Sequence, residues 1–224
     1  TTVKINSAQQ LADFAMRVNG GETALNAILT ADIDFTSYPT LSIADKKLGA
    51  YKGTFDGDNY TVTIAYDFPA GSSYNQNDCF GLFGFVTKGA VVKNLNVTGS
   101  ISVECNFWHV GGIIGGDNNA GGPITVTNCR CDVDINAVSP ATTTNTFISV
   151  GGLMGTCQAE LLMDDCSFRG SIVSESKRAG VGQTSYVAGL VGASNSGIRG
   201  HINNCYVFIN ATTTVNAASN ANRI

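Results

Sequence analysis

The stretch "GLFG", residues 81–84, sets two glycines around two apolar residues. Alone, that spacing fits a loop that grips a ligand. The same word returns as GIIG at 112–115, GLMG at 152–155 and GLVG at 189–192. The four quartets start 31, 40 and 37 residues apart. A ligand loop occurs once or twice in a domain. A word written four times at such intervals is a structural repeat, and it decides how the rest of the chain is read.

Working outward, each quartet is followed by a second landmark: VVKNLNVTGSI (91–101), VTNCRCDVDI (126–135), MDDCSFRGSI (163–172) and INNCYVFINA (202–211). Aligning Leu95, Cys129, Cys166 and Cys205 puts Asn94, Asn128, Asp165 and Asn204 one place before. Val97, Cys131, Phe168 and Val207 fall two places after, and Ile101, Ile135, Ile172 and Ala211 six places after. The intervening positions are mostly polar. Period-2 alternation marks a strand with one face in and one out. One such unit cannot bury its own apolar face, but stacked coils can, which is the logic of a solenoid. Equivalent residues then stand above one another. Leu95, Cys129, Cys166 and Cys205 become an inward ladder, and Asn94, Asn128, Asp165 and Asn204 a ladder of polar side chains at a bend. The quartet columns, Leu82/Ile113/Leu153/Leu190 and Phe83/Ile114/Met154/Val191, read as buried.

Upstream, YKGTFDGDNYTVTI (51–64) ends an earlier coil, and residues 24–35 read as a pair of strands. In the segment 6–21, Ser7 and Gln10 form a capping-box signature. Leu11, Phe14, Ala15 and Val18 make one apolar stripe, and Gly20-Gly21 stops the helix. A short amphipathic helix at the start of a β-stack fits the task of covering its open end. The expected architecture is all-β: a single β-helix over 1–224 with about five to six coils. Residues 1–21 form the helical cap, 22–66 the first coils, 80–211 the four repeats and 212–224 a tail.

The composition of the 224 residues agrees. Charged residues are 13%, roughly half the usual share for soluble domains, while glycine reaches 26. Net charge is −4, and no Lys/Arg run exceeds two, which argues against nucleic acid and anionic membrane as partners. No apolar run is long enough for a membrane helix. The abrupt TTVKIN start and ASNANRI end read as those of a mature or excised module of a longer protein.

The seven cysteines (79, 105, 129, 131, 157, 166, 205) fit no zinc spacing, so no metal or cofactor is expected. The ladder accounts for 129, 166 and 205 as reduced buried thiols, because stacked rungs have parallel Cβ vectors unsuited to an S–S bond. Cys79, Cys105 and Cys157 lie nearer loops and stay open to disulfides. A nucleophilic cysteine is not expected, since neither His109 nor His201 aligns with one in the repeat. The Asp56-Gly57-Asp58-Asn59 stretch reads as a turn satisfying its own backbone; it lacks the ligand series of a calcium loop.

Two surfaces could carry contacts. On the outward face, Arg130, Asp132 and Asp134 share one strand, with Arg169 beside Asp132 one coil on. Asp132 and Arg169 are expected to form a surface ion pair worth about 0.2–1 kcal/mol. The sharper alternative is an acid/base or sugar-binding patch, as in carbohydrate-active β-helix enzymes such as polysaccharide lyases or glycoside hydrolases. In the loops, Phe107-Trp108-His109 and Tyr74 offer aromatics for a glycan or a protein surface. The threonine runs at 141–146 and 211–217 recur on two coils only, too few for an ice-binding array.

With these residues in place, the chain resembles the GLUG-motif proteins, named for a G-L-x-G quartet. These are repeat segments of bacterial cell-surface and secreted proteins, including adhesin-like proteins and regions of certain IgA-cleaving metallopeptidases. The likeness covers about residues 50–211; the second quartet departs from it with Ile113 in place of Leu. The resemblance implies a right-handed parallel β-helix and a surface setting. It implies no peptidase activity, because H-E-x-x-H is absent. The expected function is a non-catalytic module for adhesion or ligand contact (glycan or host surface protein), or a stalk presenting other domains.

Overall fold

The computed structural model describes residues 2–71, 78–119, 121–141, 147–177, 184–194, 200–215 and 221–223. The chain winds as a β-solenoid in which every strand pairing is parallel. Each complete coil has four strands, one in each of four sheets. Sheet I runs from Thr2–Ile5 through Asn26–Leu29, Thr54–Asp56, Val91–Lys93, Pro123–Thr127 and Glu160–Asp164 to Gly200–Asn203. Sheet II holds Ile33–Asp34, Thr61–Phe68, Asn96–Val103, Arg130–Ser139, Ser167–Ser176 and Tyr206–Val215. Sheet III holds Cys79–Phe80, His109–Gly111, Phe147–Gly151, Thr184–Ala188 and Ala221–Arg223. Sheet IV holds Phe83–Val86, Ile114–Asp117, Met154–Cys157 and Val191–Ser194. Four coils are therefore complete, with partial turns before and after, where the sequence suggested five to six.

The register agrees with the repeat alignment residue for residue. Val92, Val126, Met163 and Ile202 are paired in sheet I; Val97, Cys131, Phe168 and Val207, and Ile101, Ile135, Ile172 and Ala211, in sheet II. The strand Arg130–Ser139 shows the alternation most cleanly: Cys131, Val133, Ile135, Ala137 and Ser139 point in, while Arg130, Asp132, Asp134 and Asn136 point out.

Two corners of each coil are tight, the one between sheets I and II from Lys93 onward; the first complete coil takes residues 57–60 for that step. Between sheets I and II, Asn94, Asn128, Asp165 and Asn204 all adopt left-handed backbone, with φ of 52°, 49°, 51° and 50°. Asn and Asp tolerate this region best among residues carrying a Cβ. The amide of Asn128 donates to Asn94 Oδ1 at 2.9 Å, and that of Asn94 to Asp56 Oδ1 at 3.0 Å, so side chains bond along the axis. Asp56 also accepts from Asp58 N and Lys93 Nζ, consistent with a turn. The cysteines add a use the sequence did not suggest. Cys129, Cys166 and Cys205 each donate to the carbonyl two residues back, across the left-handed residue, at 3.3, 3.3 and 3.0 Å.

The glycine quartet makes the corner between sheets III and IV. Its glycines have ordinary φ; what they supply is space. A Cβ on Gly112, Gly152 or Gly189 would strike Cys131, Phe168 or Val207 reaching across from sheet II. A Cβ on Gly115 or Gly155 would lie 2.7 Å from the Phe80 or Val110 nitrogen of sheet III in the preceding coil. Of the eight apolar quartet residues, six are buried, while Leu190 and Val191 in the last coil are only partly covered.

The helix Ala8–Asn19 lies over the first coil. Ser7 Oγ accepts from Gln10 N, and Gln10 Oε1 accepts from Asn6 N at 2.8 Å, completing the capping box one residue early. Leu11, Ala12, Phe14, Ala15 and Val18 are buried. Phe14 sits edge-on to Tyr51 and Phe55, both within 6.1 Å between ring centres. The core grades along the axis, from aromatic in the early coils (Phe55, Phe68, Phe80, Phe83) to hydroxylic later, where Ser174 and Ser185 bond at 2.7 Å.

All seven cysteines are free thiols. Cys79, Cys105 and Cys157, open to disulfides in the sequence reading, are buried, and Cys205 is partly exposed because it stands on the last coil.

Candidate ligand-contact site

Sheet II carries the outward charged residues on parallel strands in register, with the ladder between Arg130–Ser139 and Ser167–Ser176 interrupted at Val133 and Asp134 opposite Gly170 and Ser171. Asp132 pairs in register with Thr98 on one side and Arg169 on the other, and Arg169 with Phe208. The expected Asp132–Arg169 ion pair is not made. Among the described residues the ion pairs are Arg17–Glu22 and Lys93–Asp56. The Arg169 guanidinium instead lies over the Phe208 ring, 5.4 Å from its centre. A cation on an aromatic face gains roughly 0.5–1 kcal/mol at an exposed site, comparable with a surface ion pair.

Asp134 has a different neighbour. Its Oδ1 accepts from Ser171 N at 2.8 Å and from Ser171 Oγ at 2.7 Å, one coil on. These bonds favour the ionised form and hold its pKa below the usual carboxylate value. Arg130, Asp132, Ser167, Phe168, Arg169, Tyr206 and Phe208 together line a shallow depression of about 290 Å³. Tyr206 and Phe208 are 63% and 64% exposed. Neither stood out in the sequence, where the strand alternation marks them only as outward positions in register with Ser167 and Arg169.

The loop aromatics divide. Phe107 is in the core. Trp108 is half-buried, stacked on His109 with ring centres 5.0 Å apart and 18° between planes, and Lys47 Nζ lies 5.7 Å from its ring centre. Of the two readings the FWH triplet allows, an exposed anchor or a ring packed under its loop just before Val110 enters the core, the half-buried Trp108 held by His109 and Lys47 fits the second. His109 is buried. Its Nδ1 faces Ser149 Oγ at 2.5 Å, and that hydroxyl donates to Gly155 O at 2.9 Å. With the serine proton committed, Nδ1 is the donor. Burial, with Lys47 adding to it, lowers the His109 pKa to about 3. Tyr74 lies outside the described residues.

One expectation about the cysteines is overturned. Cys79 pairs in register with His109, so a cysteine and a histidine do stand side by side in sheet III. The quartet alignment missed this because the first complete coil is one residue shorter at that corner: Phe80 pairs with Val110, yet Phe83 pairs with Ile114. The juxtaposition does not activate the thiol. The His109 ring bonds to Ser149 on its other side, and burial pushes the Cys79 pKa up, opposite to what a nucleophile requires.

Asp117 completes this corner. It is buried, its Oδ1 accepts from Gln158 N at 2.6 Å and its Oδ2 from Asn119 N at 2.9 Å; burial raises its pKa against those bonds. Among the described residues no group of three or more His, Cys, Asp or Glu is placed to hold a metal ion, and no helix is long and apolar enough to cross a membrane. Comparison with protein-family models, with curated proteins and with solved structures gives no match.

Proposed function

We propose that this chain is a non-catalytic contact module of a secreted or cell-surface protein, in which a rigid β-solenoid presents side chains to a glycan or to a surface protein. The observation that carries this reading is the sheet II patch. Arg130, Arg169, Tyr206 and Phe208 face outward on adjacent coils, and neither guanidinium is within ion-pair reach of a described carboxylate. Arginine and exposed aromatics are the residue types that carry contact energy. The GLUG-type resemblance and the low charge content point the same way.

The competing reading is a carbohydrate-active enzyme using Asp132 and Asp134. A hydrolytic pair needs one carboxyl with a raised pKa to act as acid. Asp134, bonded twice to Ser171, is shifted the other way and does not supply that acid. Glycan and surface-protein arrays probed with the native chain test the proposal. Binding that falls about tenfold in Arg169→Ala or Tyr206→Ala is expected, with no polysaccharide digestion. Turnover abolished by Asp132→Asn would sink it.

A further inference from the structure

A second concavity lies where sheets III and IV meet, on a different side from the charged patch. It has a volume of about 370 Å³ and is lined by Phe147, Thr156, Gln158, Tyr186, Ala193 and Ser194. This is the size range of small-molecule sites. Its walls come from two successive coils: Phe147 and Tyr186 from sheet III, Thr156 and Ala193 from sheet IV.

The floor is braced by bonds already described. His109 donates to Ser149, and Ser149 to Gly155 O, tying sheet III to sheet IV. Asp117 holds Gln158 N, and Thr156 Oγ1 donates to Ala193 O at 3.2 Å. These bonds use backbone groups and buried side chains. They leave the Gln158 amide, the Ser194 hydroxyl and the Tyr186 hydroxyl without a protein partner among the described residues, at the rim of a cleft whose shape is fixed.

The chemistry of the lining is specific. None of the six residues carries a charge. Two aromatic rings and three hydroxyl or amide groups without a partner among the described residues line one space. Aromatic faces cover the C–H faces of sugar rings, and amides and hydroxyls match sugar hydroxyls. An anionic ligand would find no cation in the lining, and a purely apolar one would leave three polar groups desolvated and unpaired.

We infer that this cleft binds an uncharged oligosaccharide, with Phe147 and Tyr186 as stacking faces and Gln158, Ser194 and the Tyr186 hydroxyl as hydrogen-bonding groups. The inference rests on the chain being a contact module, but it uses a different face from the sheet II patch. Phe147 stands in register with Thr184 and Tyr186 with Ser149, so the two rings lie diagonally across successive coils, one coil and two residues apart. Trp108 stands beside Phe147, their ring centres 5.8 Å apart.

Trp108 is the sole tryptophan of the chain, which makes it a reporter. The experiment titrates the native protein with cellohexaose, maltohexaose, mannohexaose and xylohexaose, and with hexagalacturonate as the anionic control. Binding is read by tryptophan fluorescence and by calorimetry. At least one uncharged hexaose is expected to bind and to shift the emission. Phe147→Ala should weaken it by about tenfold and Tyr186→Phe or Gln158→Ala by about threefold to tenfold, with Arg169→Ala unchanged. The last three are mild surface changes that keep the test valid if Phe147→Ala folds poorly. The inference is overturned if no uncharged hexaose binds, if hexagalacturonate binds as tightly, or if Tyr186→Phe and Gln158→Ala both bind like the native chain. Ligands captured through Arg169 alone would overturn it while leaving the contact-module reading intact.

Discussion

The first and the last of the described coils are built from the same repeat and covered differently. At the first end, the helix Ala8–Asn19 lays five buried side chains over the opening coil, and Phe14 is 1% exposed against Tyr51 and Phe55. At the other end, the strands Gly200–Asn203 and Tyr206–Val215 are the outer members of sheets I and II, and Ile202, Val207 and Ile209 stand partly in solvent. The column position of Val207 is fully buried in every earlier coil, at Val62, Val97, Cys131 and Phe168. The difference teaches that burial in a solenoid belongs to the coil above and below as much as to the residue. A side chain is core only if it is stacked on both sides, and the same inward orientation yields little stability on a terminal coil.

The strongest way to break this asymmetry is at the quartet. Gly152→Val should drive a Cβ into Gly189 O and the Phe168 ring, displacing backbone and core together. Losses above about 4 kcal/mol are expected from such overpacking with backbone conflict. Hydrogen exchange should show protection vanishing in the coils after residue 150 while the helix-covered coils keep theirs. Uniform loss across the chain would mean that the two ends unfold as one unit.

A matched pair of truncations sharpens the comparison. Phe14→Ala is expected to cost about 3–5 kcal/mol, as for a fully buried ring. Phe208→Ala should cost about 1 kcal/mol or less, since the exposed ring mainly meets the Arg169 guanidinium. Denaturant midpoints of the two variants measure both, and equal costs would refute the account of the open end.

The smallest effect addresses the middle of the stack, away from both ends. His109 has a folded pKa of about 3, below the ordinary 6.5 of the unfolded chain. Between those values the unfolded state binds a proton that the folded state does not, so stability falls as pH falls and is unaffected above the upper value. The contribution amounts to about 1 kcal/mol between about pH 7 and pH 5.5. His109→Gln should flatten that part of the pH–stability profile relative to the native chain; an unchanged slope would show that the imidazole is not buried neutral.

Much of the fold was legible because the repeat is written in two different alphabets. The Asn94/Asn128/Asp165/Asn204 column carries the backbone bend, and the quartets carry close approach, so each fixed a corner independently and the strands between them followed. What stayed hidden depended on counts and on faces. The pairing of Cys79 with His109 required knowing that one coil is a residue short at the quartet corner. The cleft lined by Phe147, Gln158 and Tyr186 required knowing which way strands from two coils face, and those residues have no shared word to align. The Asp132–Arg169 register was read correctly, but the guanidinium's choice of Phe208 over the carboxylate depends on a ring offered by the terminal coil.

The corners also differ in how much length they permit. From Lys93 onward the step between sheets I and II takes two residues in every coil, and the step between sheets III and IV varies by no more than the one residue missing from the first complete coil. The stretch from sheet II to sheet III, by contrast, runs over 69–78, 104–108, 140–146 and 177–183. The stretch from sheet IV to sheet I varies as well, over 87–90, 118–122, 158–159 and 195–199. Two corners thus act as pins that set the pitch, and the other two act as ports where chain can be added without shifting anything held by the pins. Such a molecule can exchange or enlarge what it displays at those two corners, coil by coil, while its axis, its register and its buried columns stay the same. Its diversity is confined by construction to the positions that cost the stack least.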